Sequence, residues 1–327
     1  MAPRRRLSVA VAVLVSLTML AACGADSGDS AGQQSAGSAA AEVVVTTSVL
    51  GAVVSQLVED DARVTVIIPN GVDPHDFRPS AKDRVTIDDA DLLVANGLGL
   101  ESSLDEIIED ARAQGTPLFV AGDHIDVRTF GPDEMSEDEH ADEVSEDDHA
   151  DENAVDPHFW VDPVAMKDVV AALADELTTT ASLELGDAIT TRRADVDAEL
   201  DDVNDRVGQT LAVVAPERRV LVTGHESMGY FARRYDFTLV GAVIPSSTSQ
   251  AAPSAGSLAT LKDQIDQYDV PAIFDELGTP AAVVDAIASE TGVRVVELGT
   301  HTVPDDGSYA SFMLQLANGV TLGLGPQ

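Results

Sequence analysis

"DAITTRRADVDAELDDVNDRVGQTLAVVA", residues 187–215, carries Val196, Leu200, Val203, Val207, Leu211 and Val214 at intervals of 4, 3, 4, 4 and 3. Those intervals put all six side chains on one face of an α-helix. Acids and arginines fill much of the other face, Gly186 precedes the stretch and Pro216 ends it. At 1.5 Å per residue such a helix is about 44 Å long. A helix of that length can run along two compact bodies as a stiff spine, so the sequence on its two sides is read as two lobes.

Both sides alternate short apolar runs with helical spacing. Before the spine, residues 43–47 (VVVTT), 63–69 (RVTVIIP), 91–95 and 117–121 read as strands, with helical patterns at 48–58 and 104–112. After it, residues 219–223, 238–243, 272–275 and 294–298 read as strands, separated by helical patterns at 228–234, 257–267 and 281–290. Strand–helix alternation predicts parallel sheets, and continuous apolar strands predict sheets covered on both faces. A further helix starts at Asp162-Pro163, an N-cap followed by a first-turn proline. Its Met166, Val169, Val170, Leu173 and Leu177 share a face. The expected fold class is α/β: two lobes, each a mostly parallel four-stranded sheet flanked by helices, joined by one long helix. The expected boundaries are 42–185 for the N-terminal lobe, 186–215 for the linking helix and 216–327 for the C-terminal lobe.

The first 41 residues read differently. Arg4, Arg5 and Arg6 precede an apolar run of 16 residues, 7–22, and then Cys23, the one cysteine of the chain. The run is shorter than the roughly 20 residues of a membrane-spanning helix and has the layout of a secretory signal. Leu20-Ala21-Ala22-Cys23 resembles a bacterial lipobox, which implies cleavage before Cys23 and a lipid anchor on its thiol. Residues 23–41 are mostly Gly, Ser, Ala and Gln, the composition of a flexible tether.

A formal net charge of −38 argues against nucleic acid, because that affinity rests on Lys and Arg meeting phosphates. It is compatible with attracting cations, and equally with simple solubility. One cysteine excludes an intramolecular disulfide and a multi-cysteine zinc site. That leaves the seven histidines. His75 and His158 each close an Asp-Pro-His triplet, and His225 follows the first strand of the second lobe. In open parallel sheets ligands bind beyond the carboxyl ends of the strands, so a cleft between lobes can gather histidines from both. Neutral imidazole suits Zn²⁺ and its neighbours, and the proline of each triplet stiffens the backbone presenting the ring. Taken alone, one Asp-Pro-His is equally a capped turn with its histidine in solvent.

Three stretches carry a resemblance: "GVDPHDFRPS" at 71–80, "DPHFWVDP" at 156–163 and "VTGHESMGYFARRY" at 222–235. In order and with plausible gaps, they resemble the signatures of the zinc- or manganese-binding lipoproteins of bacterial ABC importers, the cluster A-I solute-binding proteins. The resemblance runs from Glu42 to the C-terminus and is strongest to the zinc-binding members. It implies two α/β lobes with a metal in the cleft, and His75, His158 and His225 as ligands. It implies Zn²⁺ as the ion, with Mn²⁺ the alternative, since manganese binders often have Glu where His225 stands. For the fourth ligand "PDDGSYASFM" at 304–313 offers Asp306, with Asp305, water or His301 as alternatives. Asp76 and Glu226 flank proposed ligands as candidate supporting groups, and Glu276 is read as structural. The partners implied are an ABC importer permease with its cytoplasmic ATPase and the membrane through the lipid anchor. No nucleic acid is implied, and the protein is expected to be a monomer on the extracytoplasmic face of the cell membrane.

Between the first two ligands lies an acidic loop, 133–153, with two near-copies of one unit, MSEDEHADE and VSEDDHADE. His140 and His149 sit among twelve acids of residues 133–152. Two readings stand side by side: a loose metal-attracting loop, or a solvated insertion. A zinc enzyme with three histidines and a water is the alternative function, as is a metal-dependent adhesin or metallochaperone. Against the enzyme, His225-Glu226 is not followed by the second histidine of a His-Glu-x-x-His helix. His124 has no companion motif and reads as a surface residue.

Overall fold

The computed structural model describes residues 41–130, 154–180, 183, 185, 186 and 188–326. The signal, residues 23–40 of the expected tether with Cys23, and His140 and His149 of the acidic loop lie outside the described residues, whereas Ala41, expected in the tether, begins the first strand.

The N-terminal lobe holds strands β1 (Ala41–Val45), β2 (Ala62–Val66), β3 (Leu92–Ala95) and β4 (Leu118–Val120), all parallel, in the order β2-β1-β3-β4. The C-terminal lobe repeats the order with β5 (Val220–His225), β6 (Thr238–Ile244), β7 (Ala272–Glu276) and β8 (Arg294–Leu298), as β6-β5-β7-β8. The inner strands of both sheets are buried on both faces, and the two-residue period of a strand decides which face each side chain serves. Val43, Val45, Leu92 and Val94 join one core while Val44, Leu93 and Ala95 join another on the opposite face. Likewise Phe274 joins the first core and Ile273 a third one on the opposite face of the second sheet.

The helices are α1 (Ser48–Val58), α2 (Ala81–Asp88), α3 (Asp105–Gln114), α4 (Pro163–Thr179), α5 (Ala188–Leu211), α6 (Gly229–Tyr235), α7 (Ala255–Gln267), α8 (Ala281–Thr291) and α9 (Tyr309–Leu324). Helix α4 starts as expected, with Asp162 accepting from Val164 N and Pro163 in its first turn. The spine is α5, 24 residues and about 36 Å long. Its buried face is Ile189, Val196, Leu200, Val203, Val207 and Leu211. It packs on α1 and α4 of the first lobe and on α9 of the second, and one continuous core runs from Val43 through Leu200 to Leu316. The helix stops at Leu211 rather than at Ala215. Pro216 disfavours helical backbone at the residue before it, and the chain tightens into a turn where Val214 N bonds Leu211 O at 2.9 Å. Among the described residues no helix is long and apolar enough to cross a membrane.

Two elements were not read from the sequence. Helix α2 is short and mostly polar, and a capping box between Ser80 and Asp83 starts it. Helix α9 had a legible signal: Tyr309, Phe312, Met313, Leu316, Ala317, Val320 and Leu324 are all buried at helical spacing behind the N-cap Ser308.

Candidate metal centre

The carboxyl ends of both sheets face a common site between the lobes. His75 follows β2, His158 precedes α4, His225 is the last residue of β5, and His301 follows β8. All four are buried, and one ligand atom of each lies within 4.8 Å of the other three. His158 is the hub: its Nε2 is 3.2 Å from His75 Nε2 and 3.3 Å from His225 Nε2. A zinc ion bound tetrahedrally at about 2.0–2.1 Å sets its nitrogens about 3.3–3.4 Å apart. Two edges of that tetrahedron are therefore already in place.

The two Asp-Pro-His triplets are built alike. Asp73 Oδ1 accepts His75 N and Asp156 Oδ1 accepts His158 N, each at 3.0 Å. The aspartate caps a turn across the proline, so the capped-turn reading was right about the backbone. It was wrong about the side chain, because both rings point into the protein.

Carboxylates also fix two of the rings. Asp156 Oδ1 lies 2.9 Å from His158 Nδ1, and Glu276 Oε2 lies 2.7 Å from His225 Nδ1. Asp156 accepts the Nδ1 proton of His158 and leaves its Nε2 lone pair facing the site, and the Glu276 charge beside His225 Nδ1 favours the same tautomer there. Two such lone pairs 3.3 Å apart repel unless a cation or a proton lies between them. Glu276 is therefore more than structural: it also accepts His225 N at 3.3 Å and the Ser227 hydroxyl at 2.5 Å. Behind Asp156, Arg128 Nη1 approaches Oδ2 at 3.0 Å, and the Arg128 backbone N–H donates to Tyr230 Oη at 2.8 Å. The fit requires Gly229, where a Cβ would lie 2.4 Å from Arg128 Nη1 and 2.5 Å from Asp156 Oδ2. Asn96 supports the same loop, donating from Nδ2 to Pro157 O at 3.1 Å.

Burial, and then the charges of His158 and His225, push the His75 imidazole down to about 2. Burial likewise holds His158 and His301 well below the ordinary histidine value. Burial also works against a charged His225, but the charge and hydrogen bond of Glu276 raise it. Burial lifts Asp156 to about 6 against the pull of Arg128. Three rings are thus neutral donors at ordinary pH, and His225 is where a proton competes.

The fourth ring in the cluster is His301, not Asp306. Asp306 is exposed and committed to the start of α9, accepting Ser308 N at 3.0 Å and the Ser311 hydroxyl at 2.6 Å. The Ser311 bond, then the Ser308 bond, hold its carboxyl below the usual range. Asp305 is exposed too. His301 Nε2 is buried with no hydrogen-bond partner among the described residues. Its Nδ1 lies 3.1 Å from Thr300 Oγ1. The sequence offered no motif for it beyond a histidine after a strand. Asp76 is exposed and pairs with Arg78 at 3.4 Å, whereas Glu226 is buried beside His225. His124 is exposed and stacks on Phe119 at 4.6 Å, away from the cluster.

Comparison with known proteins places this architecture. The sequence model of the family described as ZnuA, zinc-uptake complex component A, periplasmic, matches residues 43–321. The high-affinity zinc uptake system protein ZnuA of Bacillus subtilis is 33% identical over 287 residues, covering 86% of this chain and 84% of its own. The manganese-binding lipoprotein MntA of Halalkalibacterium halodurans is 25% identical, over 93% of this chain and 92% of its own. The solved structure of the periplasmic zinc binding protein TroA from Treponema pallidum superposes with a TM-score of 0.73 at 24% identity, over 88% of this chain and 99% of that one. A ZnuA crystal structure superposes equally well, with a TM-score of 0.73 at 23% identity, over 88% and 100% of the two chains. The two-lobe fold is theirs, and the chain belongs to the family of the periplasmic zinc-uptake component ZnuA.

Proposed function

We propose that the protein is an extracytoplasmic receptor that captures Zn²⁺ between its lobes and delivers it to the permease of an ABC importer. The observation that carries this reading is the convergence of four buried imidazoles, two of them held by carboxylates with their Nε2 lone pairs facing each other. His75, His158, His225 and His301 are the proposed ligands. The carboxylates hydrogen-bonded to these histidines are Asp73, Asp156 and Glu276, and Arg128 balances one of them. The remainder is two formal negative charges, the complement of one divalent cation. An all-nitrogen set suits Zn²⁺ and disfavours Mn²⁺, which prefers carboxylate and water oxygen. Four imidazoles also complete a tetrahedron and leave no open position for a reactive water, which supports a receptor over an enzyme. The uptake and binding functions of the relatives agree with this reading.

The receptor is proposed to act as a monomer, anchored through a lipid on Cys23, with the permease and its ATPase on the membrane beside it. Residues 133–153 are proposed to attract cations loosely through His140, His149 and the surrounding acids. The test is metal content after purification, followed by competition between Zn²⁺ and Mn²⁺. About one tightly held Zn²⁺ that excess Mn²⁺ does not displace is expected. Preferential loading with Mn²⁺, or no retained metal and no tight binding, would refute the proposal.

A further inference from the structure

His301 belongs to the C-terminal lobe by sequence, but N-terminal-lobe side chains hold its loop. Asn70, in the loop between β2 and His75, bonds both backbone groups of Val303. Its Nδ2 donates to Val303 O at 2.7 Å and its Oδ1 accepts Val303 N at 2.8 Å. Trp160, two residues after His158, donates from Nε1 to Thr300 O at 2.8 Å. Ser48 Oγ donates to His301 O at 3.4 Å. Four backbone groups within residues 300–303 are thus read by the opposite lobe. The Trp160 ring also lies edge-on to the His301 ring at 5.3 Å. His225 is anchored otherwise: it ends β5, and Glu276 at the end of β7 holds both its backbone N–H and its Nδ1.

We infer that Asn70 is a positioning residue that docks His301 onto the N-terminal lobe, so that three of the four imidazoles travel with that lobe and His225 alone travels with the other. The inference rests on the receptor reading above and deepens it. Separation of the lobes then breaks the bond to His225 first and leaves the ion on His75, His158 and His301. Without the Asn70 clamp, the bonds from the opposite lobe to residues 300–303 are, among the described residues, those of Trp160 and Ser48. Its ring, whose Nε2 has no other partner among the described residues, no longer stands ready for the ion. The site then holds the ion with three nitrogens and an open position, which suits a faster exit and a weaker preference for nitrogen-seeking metals.

The test uses the full chain with Zn²⁺ for kinetics and Co²⁺ for spectroscopy, since the visible absorption of Co²⁺ reports its coordination number. Asn70→Ala is expected to raise the Zn²⁺ dissociation rate about 10-fold or more, the scale of losing a group that orients a ligand. Its Co²⁺ spectrum should move toward that of His301→Ala. In the His301→Ala background, Asn70→Ala should change nothing further. Trp160→Phe keeps an aromatic ring and loses the indole N–H, so it should shift both readouts the same way by less. Should Asn70→Ala fail to fold, Asn70→Asp keeps the acceptor for Val303 N and loses the donor, and it should show the same shift. A wild-type Co²⁺ spectrum and dissociation rate in a folded Asn70 variant would overturn the inference. So would an equal loss with and without His301, which would make Asn70 a general strut between lobes. Failure of the wild-type chain to bind Zn²⁺ would instead overturn the receptor reading, whereas tight wild-type binding with an unaltered His301→Ala spectrum would overturn the role of His301 alone.

Discussion

Asp156 touches His158 twice, accepting its backbone N–H at 3.0 Å and approaching its Nδ1 at 2.9 Å. One buried carboxylate thus sets both the turn that presents the ring and the tautomer in which it is presented. Arg128 completes the arrangement from behind at 3.0 Å.

Removing that carboxylate should therefore weaken the metal site without dismantling the fold. Asp156→Asn keeps the shape and an amide oxygen but loses the charge. Zn²⁺ affinity is expected to fall about 10–100-fold, the range seen when a group behind a metal-binding histidine is lost. Competition against a chelator of known affinity measures it. An unchanged affinity would mean that packing alone sets the ring of His158.

The bare Cα of Gly229 is what lets Arg128 and Asp156 meet against α6. Gly229→Ala places a methyl 2.4 Å from one partner and 2.5 Å from the other, so the pair must shift and Zn²⁺ binding should weaken. Gly208 is the internal control: it lies inside α5 with nothing within 4 Å of an added Cβ. Gly208→Ala should raise stability by about 0.5–1 kcal/mol and leave metal binding alone. Thermal unfolding and a Zn²⁺ titration on both variants separate the two effects.

Acid should destabilise the metal-free protein through its buried imidazoles. An unfolded His75 takes a proton as pH falls below its ordinary 6.5, whereas the folded one resists down to about 2. The unfolded state therefore binds more protons across that window, and stability falls as pH falls. His158 and His301 shift in the same direction, while the raised values of Asp156 and His225 act in the opposite one. Between pH 6.5 and pH 5, His75 alone costs about 2 kcal/mol. His75→Ala should lose that part of the dependence, read as a smaller difference in denaturant midpoint between the two pH values. An equal pH dependence in variant and wild type would show that the ring is not held neutral.

The architecture was legible because parallel strands and amphipathic helices write their burial into short periodic patterns. β8 was read at its observed ends, and α1 likewise, from Ser48 to Val58. The spine was read a turn too long because apolar spacing continues to Val214 after helical hydrogen bonding has ended. His75, His158 and His225 stood out through their neighbours, the Asp-Pro pairs and a strand end. Asp306 lies at the start of α9 and outside the histidine cluster, and a carboxylate that starts a helix and one that binds a metal look the same in sequence. His301 was offered only as an alternative fourth ligand and Asn70 was not singled out, because their partners are distant in the chain: Val303 lies 233 residues from Asn70, and the His301 ring meets His75, His158 and His225 only in the fold. Glu276 was seen but undervalued for the same reason, since its bond to His225 spans 51 residues.

A competitive Zn²⁺ titration of the wild-type chain beside His75→Ala, His158→Ala and His225→Ala decides whether these histidines hold the ion. One tight site is expected in the wild type, and its loss in each of the three variants. Tight binding that survives all three substitutions would contradict that expectation.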